Sequence, residues 1–300
     1  MKILVANHWL SKLGGSETFT YTLIEELVRL GHEVDLFTFF PGLISEKIER
    51  DFGVNINVQN SYDIIFASHN TTVDELTGHG FIIQTCHGVF PYLEQPSEKA
   101  NLHVSITKEV KDHLARLGFD SKIIWNGVNC NRFKPTRKIN KKLKTVLSLA
   151  KSEQSNIIIR QACQVLGLDY IERRKERIWN IENEINKADL VISLGRGVYE
   201  SLACGRSVLV YDHRGYSDNY GDGIITEDNI NLLMENNCSG RYFKKSFTAV
   251  SLANELKKYD PGISEFSRNF AVKNLNIKNQ VKKYIPGIIG NDIQFWGIKK

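Results

Sequence analysis

Residues 188–211, ADLVISLGRGVYESLACGRSVLVY, combine residue types and spacing suited to chemistry. Leu190 to Ser193 reads as a buried strand, Gly195-Arg196-Gly197 as a turn, the residues around Glu200 as a short helix, and Val208 to Val210, past Gly205, as a second strand. Strand, turn, helix and strand form the repeating unit of a parallel sheet. Such a turn gathers backbone N–H groups and the positive end of a helix at one point, which favours an anion and most often a phosphate. Glu200, one helical turn on, is a carboxylate able to accept hydrogen bonds from sugar hydroxyls. The chemistry indicated is binding of a nucleotide sugar or of a dinucleotide. Gly195-x-Gly197 begins the G-x-G-x-x-G fingerprint of dinucleotide sites, but Glu200 stands where that fingerprint needs a small residue for close helix–strand packing. Two glycines after a strand also occur in plain turns.

The elements that would position these residues follow from periodicity. Lys2 to Ala6 is a strand, and Gly14-Gly15-Ser16-Glu17 opens a helix with Ser16 as its expected N-cap. Phe19, Leu23, Ile24, Leu27 and Leu30 share a face of that helix, and Gly31 closes it. Strands are expected at residues 33–40, 63–68, 81–84, 102–105 and 122–124, with a Thr107-capped helix through Leu117. Asn126-Gly127-Val128-Asn129, Pro135 and a basic run mark a domain boundary. Beyond it come a strand at 145–149 and helices at 156–166, 181–187, 228–236, 248–259 and 264–285; residues 167–180 are polar and poorly periodic.

Composition bounds the class. The 300 residues suit two ordinary domains, and with 42% hydrophobic and 24% charged residues the chain is globular. The net charge of +5 is partly local, in Arg132, Lys134, Arg137, Lys138, Lys141, Lys142 and Lys144. A solvated linker is the reading favoured for this run, over a surface for acidic lipid or phosphate. No aromatic-interleaved basic motif accompanies it, so a nucleic-acid partner is not expected. Five scattered cysteines without C-x-x-C spacing suit free thiols in a reducing cytoplasm. The opening apolar run is too short for a signal peptide and nothing reaches transmembrane length, so a membrane role would be peripheral, at the inner face.

Four pieces in order carry a resemblance over nearly the whole chain: Gly14-Gly15-Ser16-Glu17, Gln84-Thr85-Cys86-His87-Gly88, Asn126-Gly127-Val128-Asn129 with Phe133 and Pro135, and Glu200-Ser201-Leu202-Ala203-Cys204-Gly205. The chain resembles the retaining glycosyltransferases of family 4, which have the GT-B fold. The resemblance implies an α/β protein with two Rossmann-like parallel-sheet domains facing across a cleft. It implies an acceptor-side domain at residues 1–133, a nucleotide-sugar-binding domain at 134–263, and a C-terminal helical segment at 264–300 crossing back to the first domain.

Carried over residue by residue, Glu200 matches the second glutamate of the family's E-x7-E motif, a ribose ligand. Gly195, Arg196 and Gly197 match the loop that offers N–H groups to the donor, and Gly14 and Gly15 the turn near its diphosphate. His87 matches the active-site histidine beside the transferred sugar. Lys151 follows the first strand of the second domain, where the family usually carries an arginine. Ser16, His69 and Asn70 are candidates for acceptor contact, and His8 shares that position. The first glutamate of E-x7-E falls on Ile192, and the usual second diphosphate cation has no match among Ser152 to Asn156, where Arg196 is the candidate replacement.

The resemblance therefore implies transfer of a sugar from a UDP- or GDP-sugar co-substrate to a glycan or lipid-linked acceptor, in bacterial surface-glycan assembly. Neither a cofactor nor a metal is expected, and the chain contains no Asp-x-Asp pair of the kind that holds one. The alternatives are a nucleotide-sugar 2-epimerase on the same scaffold and a non-catalytic glycosyltransferase-like binding protein; a dinucleotide oxidoreductase ranks after both.

Overall fold

The computed structural model describes residues 1–173, 178–215 and 218–285, and the chain divides into two units. The first is Met1–Gly127 together with Asn276 onward; the second is Val128–Leu275.

The first unit runs β1 (Lys2–Ala6), α1 (Gly15–Arg29), β2 (Glu33–Phe37), α2 (Leu43–Phe52), β3 (Tyr62–Ala67), α3 (Asn70–Glu75), β4 (Gly80–Cys86), β5 (Leu102–Ser105), α4 (Lys108–Arg116) and β6 (Lys122–Ile123). Its sheet has the order β2-β1-β3-β4-β5-β6, parallel throughout. The near-continuous apolar strands suit a sheet covered on both faces. Leu4, Ala6, Ile65 and Ile82 form one core with Val73 and Leu76 from and just past α3. α1 buries Phe19, Leu23, Ile24 and Leu27. Thr107 caps α4, its Oγ1 accepting from Val110 N at 3.3 Å. Ser16 is not the N-cap of α1, because Gly14 takes that position in an extended conformation; the Ser16 hydroxyl donates instead to Glu17 Oε2 at 3.1 Å.

The second unit runs β7 (Thr145–Ser148), α5 (Glu153–Leu166), β8 (Asp169–Glu172), α6 (Ile181–Lys187), β9 (Leu190–Ser193), α7 (Arg196–Ala203), β10 (Ser207–Tyr211), β11 (Tyr220–Ile224), α8 (Ile230–Met234), β12 (Lys245–Ser246), α9 (Ala249–Leu256) and α10 (Ile263–Phe270). Its sheet order is β12-β11-β10-β9-β7-β8. Four strands are parallel, while β11 and β12 add antiparallel at one edge. Val146, Leu190, Ile192 and Leu209 pack against Ile159 and Ala162 of α5 and Leu252 and Leu256 of α9.

The helix expected over residues 264–285 is broken. α10 passes into a π-turn at Ala271–Leu275, and Asn276 is extended (φ −63°, ψ 126°) and caps a new helix, α11 (Ile277–Tyr284), by accepting from Lys278 N. α11 belongs to the first unit, where Tyr284 is fully buried, 3.1 Å from Thr85 Oγ1 and edge-on to Phe66. Residues 286–300 of the expected C-terminal segment lie outside the described residues. Among the described residues no helix is long and apolar enough to cross a membrane, and the five cysteines are buried free thiols.

Candidate functional site

In an open α/β sheet, ligands gather at the carboxyl ends of strands where the strand order reverses. In the second unit this point lies between β7 and β9, and the sequence-expected donor residues fall there. Lys151 follows β7, Gly195 follows β9, and Leu149 N donates to Ile192 O at 2.9 Å, joining the two strand ends. Gly195 has φ +57°, a left-handed conformation that L side chains adopt at a cost. Its N–H donates to Cys238 O at 3.2 Å, so that group holds the neighbouring loop rather than a ligand. A Cβ on Gly197 would overlap Ser193 Oγ, so the second glycine lets α7 sit close on the end of β9. Gly197→Ala should destabilise the protein by about 1–3 kcal/mol through this overlap, read as a fall in the thermal midpoint. An unchanged midpoint would show that Ser193 can turn away.

Arg196 and Glu200, one helical turn apart, form an ion pair of 2.9 Å (Nε to Oε1) with both side chains nearly buried. Burial raises the Glu200 carboxyl's pKa against the opposing attraction of Arg196 and Arg132. Burial lowers that of the Arg196 guanidinium, against the pull of Glu200. Arg132 stands in the same charge cluster. It pairs with Glu182 at 2.9 Å, donates to the Trp179 carbonyl, and stacks over the Trp179 and Phe133 rings at 4.8 and 5.1 Å. The turn therefore stands in a cluster of two arginines and two glutamates, paired Arg196 with Glu200 and Arg132 with Glu182, where the sequence suggested one cation and one carboxylate acting separately.

The loop bearing Lys151 is fixed by Asp212, just past the end of β10. Its carboxylate is almost wholly buried and accepts from Lys151 N at 2.9 Å and Ser152 N at 3.2 Å. Arg214 lies 3.1 Å from the same carboxylate. Sequence reasoning passed over Arg214; the signal was its place three residues past β10, a strand that neighbours β9. Ile192, at the position of the absent glutamate, is fully buried within β9 and pairs with Ser148 and Leu209.

In the first unit the strand order reverses between β1 and β3, and His8, His69 and Asn70 follow those strands. His8 N donates to His69 Nδ1 at 3.1 Å, which leaves the His69 proton on Nε2. Burial, with the neighbouring His8, holds the His69 pKa down to about 4, so the ring is neutral. Asn70 Nδ2 donates to Tyr92 O at 2.8 Å.

A second cluster in this unit gathers at the start of α1 and the end of β4. His87 Nδ1 accepts from Asn126 Nδ2 at 3.3 Å, and its ring meets Phe19 edge-on at 5.4 Å. Glu17 Oε2 occupies the space a side chain on Gly14 would fill, and Glu94 Oε2 does the same over Gly88. Gly15 has open space around it. Desolvation, with the like charge of Glu17, pushes the Glu94 carboxyl up to about 7. Glu94 carried no signal in the sequence, where it reads as one polar residue in a loop. Gly14, Gly15, Ser16 and His87 thus gather in the first unit, with His69 and Asn70 at its strand reversal, while Lys151, Gly195, Arg196, Gly197 and Glu200 gather in the second. Among the described residues no group of three or more His, Cys, Asp or Glu side chains is placed to hold a metal.

No family model and no curated protein matches the chain. Solved structures do. The chain is similar to a glycosyltransferase from Rickettsia africae (15% identity, TM-score 0.62, covering 94% of this chain and 96% of that one). It is similar to MurG of Acinetobacter baumannii (10%, TM-score 0.54, 95% and 98%). It is equally similar to the UDP-GlcNAc 2-epimerase of Neisseria meningitidis, solved with UDP-GlcNAc bound (11%, TM-score 0.54, 95% and 98%). At these identities the likeness defines the fold, which is GT-B: two Rossmann-like domains in one chain.

Proposed function

We propose that the protein is a glycosyltransferase that moves a sugar from a UDP- or GDP-sugar to an acceptor, with retention of configuration and without a metal. The observation that carries this reading is the Gly195-Arg196-Gly197 turn. It opens α7 at the reversal point of the second sheet, beside the Lys151 loop and with Glu200 one turn on. A structure of the same fold solved with UDP-GlcNAc supports a nucleotide-sugar donor.

In the reaction the acceptor oxygen bonds to the anomeric carbon as the bond from that carbon to the diphosphate breaks. The electron pair goes to the diphosphate, which takes the acceptor proton on the same face. Charge growing on the leaving group needs preorganised positive groups. Lys151, Arg196 and the first-turn amides of α7 supply them, and Arg214 is a further cation close to the Lys151 loop. Glu200 accepts hydrogen bonds from the ribose. Gly14 and Gly15 lie beside the diphosphate at the start of α1, where the open space is over Gly15 and Glu17 fills that over Gly14, and His87 holds the transferred sugar. Ser16, His69 and Asn70 serve the acceptor, a glycan or lipid-linked glycan of a bacterial surface. The setting is the cytoplasm, peripheral to the inner membrane face where the acceptor is lipid-linked.

UDP and GDP titrations test the donor, since a ligand of the native state raises the melting point. No shift with either would sink the reading. Because Glu200 also neutralises buried Arg196, Glu200→Gln keeps the shape but leaves that guanidinium without its counter-charge, so it should lower the melting point as well. In the folded variant nucleotide binding should weaken by about 1–3 kcal/mol. His87→Ala should lower turnover more than nucleotide affinity; equal activity would make the histidine structural.

A second reading, a binding protein without turnover, draws on Ile192, since a side chain buried within β9 leaves the first E-x7-E carboxylate unreplaced. Donor binding without transfer or hydrolysis across an acceptor panel would select it. The epimerase alternative draws weaker support, from one neighbour of that activity, and product analysis with and without acceptor separates the two.

A further inference from the structure

Exposed aromatic rings in the first unit gather where β1 and β2 end. Trp9, Phe39 and Phe40 are 43%, 39% and 49% exposed. They surround the His8 ring, with centroids 4.4, 5.1 and 5.3 Å away, and His69 lies 6.2 Å from it. Trp9 and Phe40 rings are 6.1 Å apart and inclined by 36°. The rings stand on fixed backbone. Trp9 and Phe40 form a parallel bridge, Leu10 N donates to Phe40 O at 2.9 Å, Phe40 N donates to His8 O at 3.3 Å, and the Thr38 hydroxyl donates to His8 O at 3.1 Å. Solvent-facing aromatics held rigidly mark a binding surface. Polar groups border this one. His69 carries its proton on Nε2, and Asn70, the next residue, is nine-tenths buried with no hydrogen-bond partner on its Oδ1.

We propose that Trp9, Phe39 and Phe40 form a stacking platform for a pyranose ring of a saccharide acceptor, with His8, His69 and Asn70 reading its hydroxyls. A pyranose has a C–H face that packs on an aromatic ring and a hydroxyl rim that needs donors and acceptors, and the surface offers both within one ring's reach. A bilayer would instead be met by cations among the aromatics. His8 and His69 are titratable rings in contact at this platform, and burial lowers the pKa of each. The platform names the acceptor class of the proposed transferase and rests on that reading for its role, while its binding stands alone.

The test uses the full chain labelled with 5-fluorotryptophan, the Trp9 resonance being assigned with Trp9→Phe. Methyl α-glucopyranoside, methyl β-galactopyranoside, maltotriose and tri-N-acetylchitotriose are titrated in turn, then vesicles of phosphatidylglycerol and phosphatidylcholine. The expected result is that at least one saccharide moves the Trp9 resonance and vesicles do not, and that in calorimetric titrations Trp9→Ala and Phe40→Ala each bind that saccharide at least tenfold more weakly than the parent. UDP or GDP should still raise the melting point of both variants as in the parent. The proposal is overturned if no saccharide moves the resonance, if vesicles do so in their place, or if both alanine variants keep the parent's affinity. Saccharide binding without any nucleotide response would keep the platform and remove the transferase reading; the reverse would keep the transferase and remove the platform.

Discussion

Asp189→Ala is expected to destabilise the second unit by about 3–5 kcal/mol, as removing one member of a buried charged pair does. The Asp189 side chain is fully buried at the start of β9. It accepts from Arg137 Nη1 and Nη2 at 3.2 and 3.1 Å, from Asn140 N and Nδ2, and from Lys144 N and Thr145 N at 3.1 Å each. Burial alone would raise this carboxyl; hydrogen bonds from Asn140, Thr145 and Lys144 outweigh it and hold the pKa below its ordinary value. Alanine would leave those donors and the Arg137 charge without their acceptor. Asp189→Asn keeps the shape but turns an amide toward donors, so it should cost a large part of the same amount. Because the folded pKa is depressed, this stability is present above the unfolded value near 4 and is lost as pH falls through the folded value. Chemical denaturation measures both effects. A loss for the alanine variant within experimental error would show that residues 137–145 find other partners.

Glu94→Gln should change the pH profile of stability rather than its value at one pH. The Glu94 carboxyl is pushed from an ordinary 4.5 up to about 7 by desolvation first and by Glu17 second. The folded protein keeps a proton that the unfolded chain releases between those two values. The stability contributed is therefore complete below pH 4.5 and disappears as pH rises through 7, by about 3–3.5 kcal/mol in all. Denaturation of the wild type and Glu94→Gln at pH 5 and pH 8 reads it directly. The variant should be the less pH-dependent, with the two curves separating by about 2 kcal/mol across that interval. Parallel curves would show an ordinary carboxyl. Glu17→Gln should bring the titration of Glu94 down, since it removes the like charge.

The parallel strands other than β8, and helices such as α1, α4 and α5, were readable because their apolar residues recur at strand or helix period and end at glycines such as Gly31 and Gly118; β8 lies in the polar stretch 167–180, which showed no such period. Other parts carried no such signal. β11 reads Tyr-Gly-Asp-Gly-Ile, which looks like a turn; Gly221 is there because a Cβ would lie 2.6 Å from Val210 O and 2.8 Å from the Phe247 ring. The break at Asn276 hides inside an amphipathic run, because an asparagine N-cap looks like any other surface polar residue. The basic stretch was read as solvated, yet Arg132 and Arg137 are held by Glu182 and Asp189, acids 50 and 52 residues further on. Arg206, between Gly205 and β10, is fully buried and donates to the carbonyls of Cys204, Ala188 and Arg137, partners no sequence pattern displays. Within the site, the positions of Arg196 and Glu200 were legible from helical spacing, but their mutual ion pair was not, because a sequence does not show how much water a turn excludes. The Glu94 position was invisible for a related reason, since its environment is made by nearby Gly88 together with Glu17 from a distant part of the chain.

The excursion of the chain through residues 128–275 before α11 returns to the first sheet sets the order of synthesis. Thr85 and Tyr284 meet across a separation of 199 residues. During translation the opening Rossmann unit therefore emerges with α11 still to come, while the inserted unit can close on itself first. Chains stalled or clipped before residue 277 would carry a completed insert on an unfinished host, with the Thr85 and Phe66 surface bare.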